Sequence, residues 1–112
     1  MVNSALNPDH ALDAAYGAKS AVTRQLKDPG SAEFQNVNVY KQKDGTYLVC
    51  GEVNARNSFG AMPGYTRFIS PKGAIAILET STGASSAYDE LWDTWGCSGL
   101  KGDLVKSNVA LW

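Results

Sequence analysis

The apolar positions change period along the chain. Ala11, Ala15, Ala18, Val22 and Leu26 recur at three- and four-residue steps, with Leu12 beside them. That is one apolar stripe on an amphipathic helix. Asn7 is a good N-cap, Pro8 fits the first helical position, and Asp9 follows in the first turn, where the helix dipole favours negative charge. Asp28-Pro29-Gly30 stops the run, because a residue before proline avoids helical angles. The pattern predicts a helix from about Pro8 to Lys27. Gly17 within it costs up to about 1 kcal/mol relative to alanine and is read as a mark of close packing.

Beyond Glu33 the period falls to two. Val37 and Val39 alternate with Asn36, Asn38 and Tyr40, and Asp44-Gly45 is a strong hairpin signal. The next strand is Thr46 to about Asn54. Tyr47, Val49, Gly51 and Val53 share one face, and Leu48, Cys50, Glu52 and Asn54 the other. Tyr65 to Ser70, a Pro71-Lys72-Gly73 turn and Ala74 to Glu79 make a second hairpin. Thr80 to Ser86 reads as loop. Ser86 and Asp89 are spaced as a capping box, with Asp in place of the usual Glu. A short helix from Ala87 to Trp95 follows, stopped by Gly96, with Tyr88, Leu91, Trp92 and Trp95 on its apolar face.

This order gives an α+β fold: an N-terminal helix packed on a four-stranded antiparallel sheet, then a short C-terminal helix. Residues 98–112 supply a fifth, edge strand or a docked tail, and residues 1–6 a flexible N-terminus. Leu26, Phe34, Val37, Val39, Val49, Val53, Phe68, Ile75, Ile77, Leu91 and Trp92 are the expected core.

Composition narrows the function classes. The 112 residues suit a single domain, and 44% hydrophobic residues with 10% aromatic are globular values. Ten Lys and Arg against eleven Asp and Glu leave a net charge of −1, which gives no global field to hold nucleic acid. No apolar run approaches the ~20 residues of a membrane span. One histidine, His10, excludes histidine-rich metal sites, and no cofactor motif is present. The start has no basic stretch and no apolar core of a signal peptide, so the chain is expected either to be cytoplasmic or to carry Met1 ahead of a mature exported sequence. Cys50 and Cys97 make an even count, which suits a disulfide in an oxidising compartment, although buried free thiols are common. A bond between them would close a loop of about 48 residues and contribute roughly 4 kcal/mol in the chain-entropy picture.

Two segments carry a resemblance. Lys27-Asp28-Pro29-Gly30-Ser31-Ala32-Glu33-Phe34 resembles an LKDPxSAxF pattern. The segment from Val49 to Gly60, VCGEVNARNSFG, with Gly64-Tyr65 and Phe68 beyond it, is similar to its usual companion. The pair occurs in small exported or lipoprotein-like chains of the bacterial envelope, some in prophages, mostly of unknown function. The resemblance implies a periplasmic or extracellular location and a second cysteine near a C-terminal Trp, as in Trp92 to Cys97. Together with the strand and post-helix placement of the cysteines, it leads us to expect a Cys50–Cys97 bond. It supplies no reaction and no catalytic residue.

The loop from Asn54 to Gly64 is the leading candidate site, because long loops in compact domains often carry function. Arg56, Asn57, Ser58, Phe59 and Met62, with Tyr65 behind them, would form a protein-binding tip. Phe59 taken alone is expected to fold back onto the sheet, with Asn54 and Asn57 bonding the loop backbone. Lys27 to Phe34 reads as structure: Asp28 bonds backbone N–H groups of the turn, and Phe34 anchors it. Tyr88, Trp92 and Trp95 suit packing better than sugar stacking. Asp89, Glu90 and Asp93 offer carboxylates for glycoside chemistry, but such charges usually solvate a helix, and Asp89 has a capping role. His10 reads as a surface residue, with no serine nucleophile elbow to serve. Gly60 to Gly64 lacks the lysine of a phosphate loop.

The first expectation is therefore a non-catalytic protein-binding module of the envelope, an inhibitor or exclusion factor whose partner is another envelope protein. The second is a small hydrolase using the carboxylates of the C-terminal helix. The third is a structural or self-assembling subunit whose motive is the apolar end Val109 to Trp112 and an edge strand. Oligomeric state is not legible.

Overall fold

The structure, a computed structural model, describes residues 9–81 and 85–111. The expected Asn7 cap, Pro8, the flexible first six residues and Trp112 lie outside them. Helix α1 spans His10–Thr23, and Asp9 rather than Asn7 caps it, accepting from Leu12 N at 3.0 Å. The other Asp9 oxygen meets Lys106 Nζ at 2.8 Å. Hydrogen bonds from Lys106 and then from Leu12 hold the Asp9 carboxyl below the usual carboxylate range.

The helix stops at Thr23, short of the expected Lys27. Gln25 N and Leu26 N instead donate to Val22 O and Thr23 O in a tightened turn. The Gln25 amide then reaches Ala76 O at 2.7 Å, and Leu26 turns onto the core. Tertiary partners, not the proline alone, end the helix.

Strands β1 (Glu33–Lys41), β2 (Tyr47–Asn54), β3 (Thr66–Pro71), β4 (Ile77–Leu78) and β5 (Asp103–Lys106) form one antiparallel sheet in the order β4-β3-β2-β1-β5. Residues 98–111 thus provide both expected outcomes. They add the edge strand, then a tail whose Val109 N donates to Val37 O and whose Leu111 is buried.

The sheet is covered on both sides. Val37, Val39, Val49, Val53 and Phe68 pack beneath α1, while Tyr40, Leu48, Cys50 and Ile69 face Tyr88 and Cys97. A second helix, α2 (Ser85–Trp95), supplies Tyr88, Leu91 and Trp92 to that side. Gly96, at φ +104°, ends α2, and Cys97 N closes back on Trp92 O at 2.9 Å. Cys50 and Cys97 form the disulfide, with Cα atoms 5.7 Å apart. It joins the middle of the sheet to the end of α2.

Strict alternation would put Phe34 on the opposite face from Val37. A bulge between Gln35 and Asn38, with Asn36 at φ +53°, adds one residue and restores the match. Phe34 then lies edge-on to Phe68, with ring centroids 5.9 Å apart. Gly51 sits opposite, where a Cβ would meet the Phe68 ring at 2.9 Å and Val37 at 3.0 Å.

Two expectations for the second hairpin are corrected. Strand β4 is only Ile77–Leu78, not Ala74 to Glu79, and a 3-10 turn, Glu79–Ser81, follows it. Side chains replace the missing ladder: Ser70 Oγ donates to Ile75 O, and Gln25 bonds Ala76 O. Freed from the ladder, Ile75 is 58% exposed and is not part of the core. Leu26, Phe34, Ile77, Leu91 and Trp92 are only partly buried. The Pro71-Lys72-Gly73 turn does form, with Lys72 at φ +59° and Gly73 at +64°. It presses on α1. A Cβ on Gly17 would lie 2.3 Å from Gly73 O, and one on Gly73 would lie 2.3 Å from Ala14 O.

Gly17→Ala is therefore expected to lower the melting temperature, although alanine is favoured over glycine in a helix by about 1 kcal/mol. A higher melting temperature would show that the turn yields. Replacing both cysteines by serine is expected to cost about 2–5 kcal/mol in denaturant unfolding. Alkylation of the denatured, unreduced protein should label neither cysteine, and labelling would contradict the bond.

Candidate functional site

The connection from β2 to β3 is tied at its neck before it opens at its tip. Asn54 Oδ1 accepts from Gly64 N at 3.1 Å across the neck. Inside the loop, Asn57 Oδ1 accepts from Phe59 N at 2.9 Å and Ala61 N at 3.1 Å. Its own N–H donates to Ala61 O at 2.9 Å, and Gly60 N donates to Asn57 O at 3.0 Å. Asn57 is thus an internal brace rather than a contact residue. Gly60, at φ +81°, takes a turn position that a side chain would strain.

Arg56 joins the loop to the Lys27 to Phe34 segment. Its N–H donates to Ser31 Oγ at 2.8 Å, and Ser31 Oγ donates to Asp28 O at 2.8 Å. The Arg56 Nε meets Asp28 Oδ2 at 3.4 Å, with both side chains about half exposed. Such a pair is worth at most about 1 kcal/mol, so the backbone bond to Ser31 does most of the positioning. The expected role of Asp28 is corrected here. Its carboxylate caps no N–H of its own turn, because Ser31 N and Oγ close that turn on Asp28 O, and the carboxylate is turned to Arg56.

At the tip Phe59 is 94% exposed. The expectation that it folds back is overturned, because the bonds from Asn57 shape the backbone away from the sheet. Ser58 is exposed as well, and Met62 and Tyr65 are 38% and 43% exposed. At the root of the loop lies a groove of about 240 Å3. Leu26, Val53, Ala55, Pro63 and Leu78 give it apolar walls. Nothing local in the sequence announces this groove, because it forms where the unwound end of α1 meets β2 and β3.

A second cluster also escapes sequence reasoning. Arg67 lies 5.2 Å from the Tyr88 ring centroid and 5.4 Å from that of Trp92. Its Nη2 meets Glu79 Oε2 at 2.9 Å and Asp89 Oδ1 at 2.6 Å. The Glu79 contact, more than the Asp89 one, raises the guanidinium pKa above its ordinary value. Tyr88 is fully buried and donates its hydroxyl to Ile77 O. Burial, then the nearby Glu79 charge, keeps the phenol protonated well above the usual tyrosine range. Five residues from three elements meet here, so no spacing in the chain could reveal them.

The capping role expected of Asp89 is corrected by the same contact. The helix starts at Ser85, which puts Ser86 inside it, and Asp89 binds Arg67 instead. Glu90 and Asp93 are exposed, as is His10 at the start of α1. Trp92 packs under Arg67, and Trp95 is 38% exposed. Among the described residues no three His, Cys, Asp or Glu side chains converge in a group able to hold a metal, and no helix is long and apolar enough to cross a membrane.

Comparison with family models, with curated proteins and with solved structures returned no match to this chain.

Asn57→Ala is expected to leave the fold intact and to speed amide hydrogen exchange at Phe59 and Ala61, where the carboxamide bonds are lost. Unchanged exchange at both amides would show that the loop holds its shape without that brace.

Proposed function

We propose that the chain is a non-catalytic protein-binding module of the bacterial cell envelope, acting through the 54–64 loop as an inhibitor or exclusion factor on another protein. One observation carries this reading: a phenylalanine that is 94% exposed stands on a loop braced by its own side-chain bonds. An exposed aromatic gains most from burial against a partner, and a loop already in shape loses little entropy on docking. The disulfide suits an oxidising compartment, which favours the envelope over the cytoplasm.

The alternatives have weaker support. A hydrolase would need free carboxylates in a cleft, whereas Asp89 is engaged by Arg67 and Glu90 and Asp93 are exposed. The assembly reading loses part of its motive, because Val109 and Leu111 pack into the core. It keeps Leu104 and Val105 on the β5 edge, 55% and 41% exposed.

The test uses envelope extract and tagged full-length chain. The parent and a Glu90→Gln, Asp93→Asn variant are expected to retain the same partner. A Phe59→Ala, Met62→Ala variant should lose it with an unchanged circular dichroism spectrum, since loop tips carry little of the core packing. Retention by the loop variant and loss by the amide variant would move the binding surface from the loop to α2 and overturn this reading.

A further inference from the structure

We propose that the groove at the root of the loop takes an anionic extended peptide, with an apolar side chain in the groove and a carboxylate against Lys27 and Arg56. The inference rests on the reading of this loop as a binding surface and names the chemistry of what it binds.

Charge singles the groove out. The chain as a whole carries −1, yet the described residues lining the groove include two cations, Lys27 and Arg56, and no carboxylate. Lys27 is exposed. Arg56 meets Asp28 through Nε alone, in a half-exposed contact of 3.4 Å. Its terminal nitrogens are the donors that grip a carboxylate in pairs. A second carboxylate can share or displace so weak a contact at little cost.

The walls supply the apolar half of the ligand. Leu26 is partly buried, and Val53 and Leu78 are buried to within a few per cent, so the groove has a floor of core side chains. A volume of about 240 Å3 holds one large side chain, not an acyl chain. Thr66 also lines the groove, and its buried Oγ1 has no hydrogen-bond partner among the described residues. An apolar floor and a cationic rim match an apolar residue flanked by acidic ones.

The 15N-labelled full chain would be titrated with the capped peptide Gly-Asp-Leu-Asp-Gly. Saturable shifts are expected at the amides of Leu26, Lys27, Ala55 and Thr66. The isosteric Gly-Asn-Leu-Asn-Gly and the truncated Gly-Asp-Ala-Asp-Gly should each bind about tenfold more weakly, and Lys27→Glu should weaken the first peptide to a similar degree. Lys43→Glu, the same charge change at an exposed lysine that does not line the groove, should leave peptide binding unchanged. Absence of saturable shifts at those four amides, or equal binding of the Asn and Asp peptides, would overturn the proposal. The two readings fail separately. A silent groove with partner capture still dependent on Phe59 removes only this inference. A binding groove with capture indifferent to Phe59 and Met62 removes only the tip.

Discussion

Leu48, Val49, Cys50, Gly51 and Val53 of β2 are all withdrawn from water, so this strand needs cover above and below. The rest of the fold follows from that demand. Helix α1 covers one side with alanines and Val22, small enough to bring the helix axis close, and Gly17 against Gly73 sets how close. The other side receives α2, which spans only Ser85–Trp95 and would be marginal alone. It is held by different means: the disulfide at its end, the Tyr88 hydroxyl on Ile77, and Arg67 gripping Asp89. One layer is fixed by shape, the other by bonds.

Period and punctuation made much of this legible. The alternation of Val49 with Leu48 and Cys50 placed the two faces of β2 correctly, and the Asp44-Gly45 and Pro71-Lys72-Gly73 turns form as expected. What the chain hid was decided by contacts distant in sequence. Nothing near Lys27 says that Gln25 will leave the helix for Ala76, and nothing near Ile75 says that Ser70 will take its carbonyl. Ile75 looked like core because it continues an apolar alternation. It is exposed because that alternation ran past the end of the ladder.

The candidate site shows the same division. The loop was visible from its length and glycines, but the roles within it only in part. Asn54 and Asn57 bond the loop backbone as expected of them, yet Phe59, expected to fold back with them, is left to solvent. Ser31 and Arg56 lie in separate segments and meet because the start of β1 pairs with the end of β2, Glu33 opposite Asn54. A resemblance built on these segments would be explained by structure alone, since each holds the other in place. The exposed Phe59 has no such explanation, which is why the proposed binding role rests on it.

The bulge at Asn36 gives β1 a property that no side chain in it possesses. Because one extra residue separates Phe34 from Val37, the two halves of the strand are in phase with α1 only at this chain length. Loss of one residue there would keep nearly every amino acid and still turn Phe34 toward α2, while the carboxamides of Gln35 and Asn36 would lose their shared acceptor on Glu52. Substitutions along β1 are graded in their effect, whereas a change in its length is all or nothing. The strand works as a ruler, and the spacing between Phe34 and Val37 matters more to the packing of both than the identity of either residue.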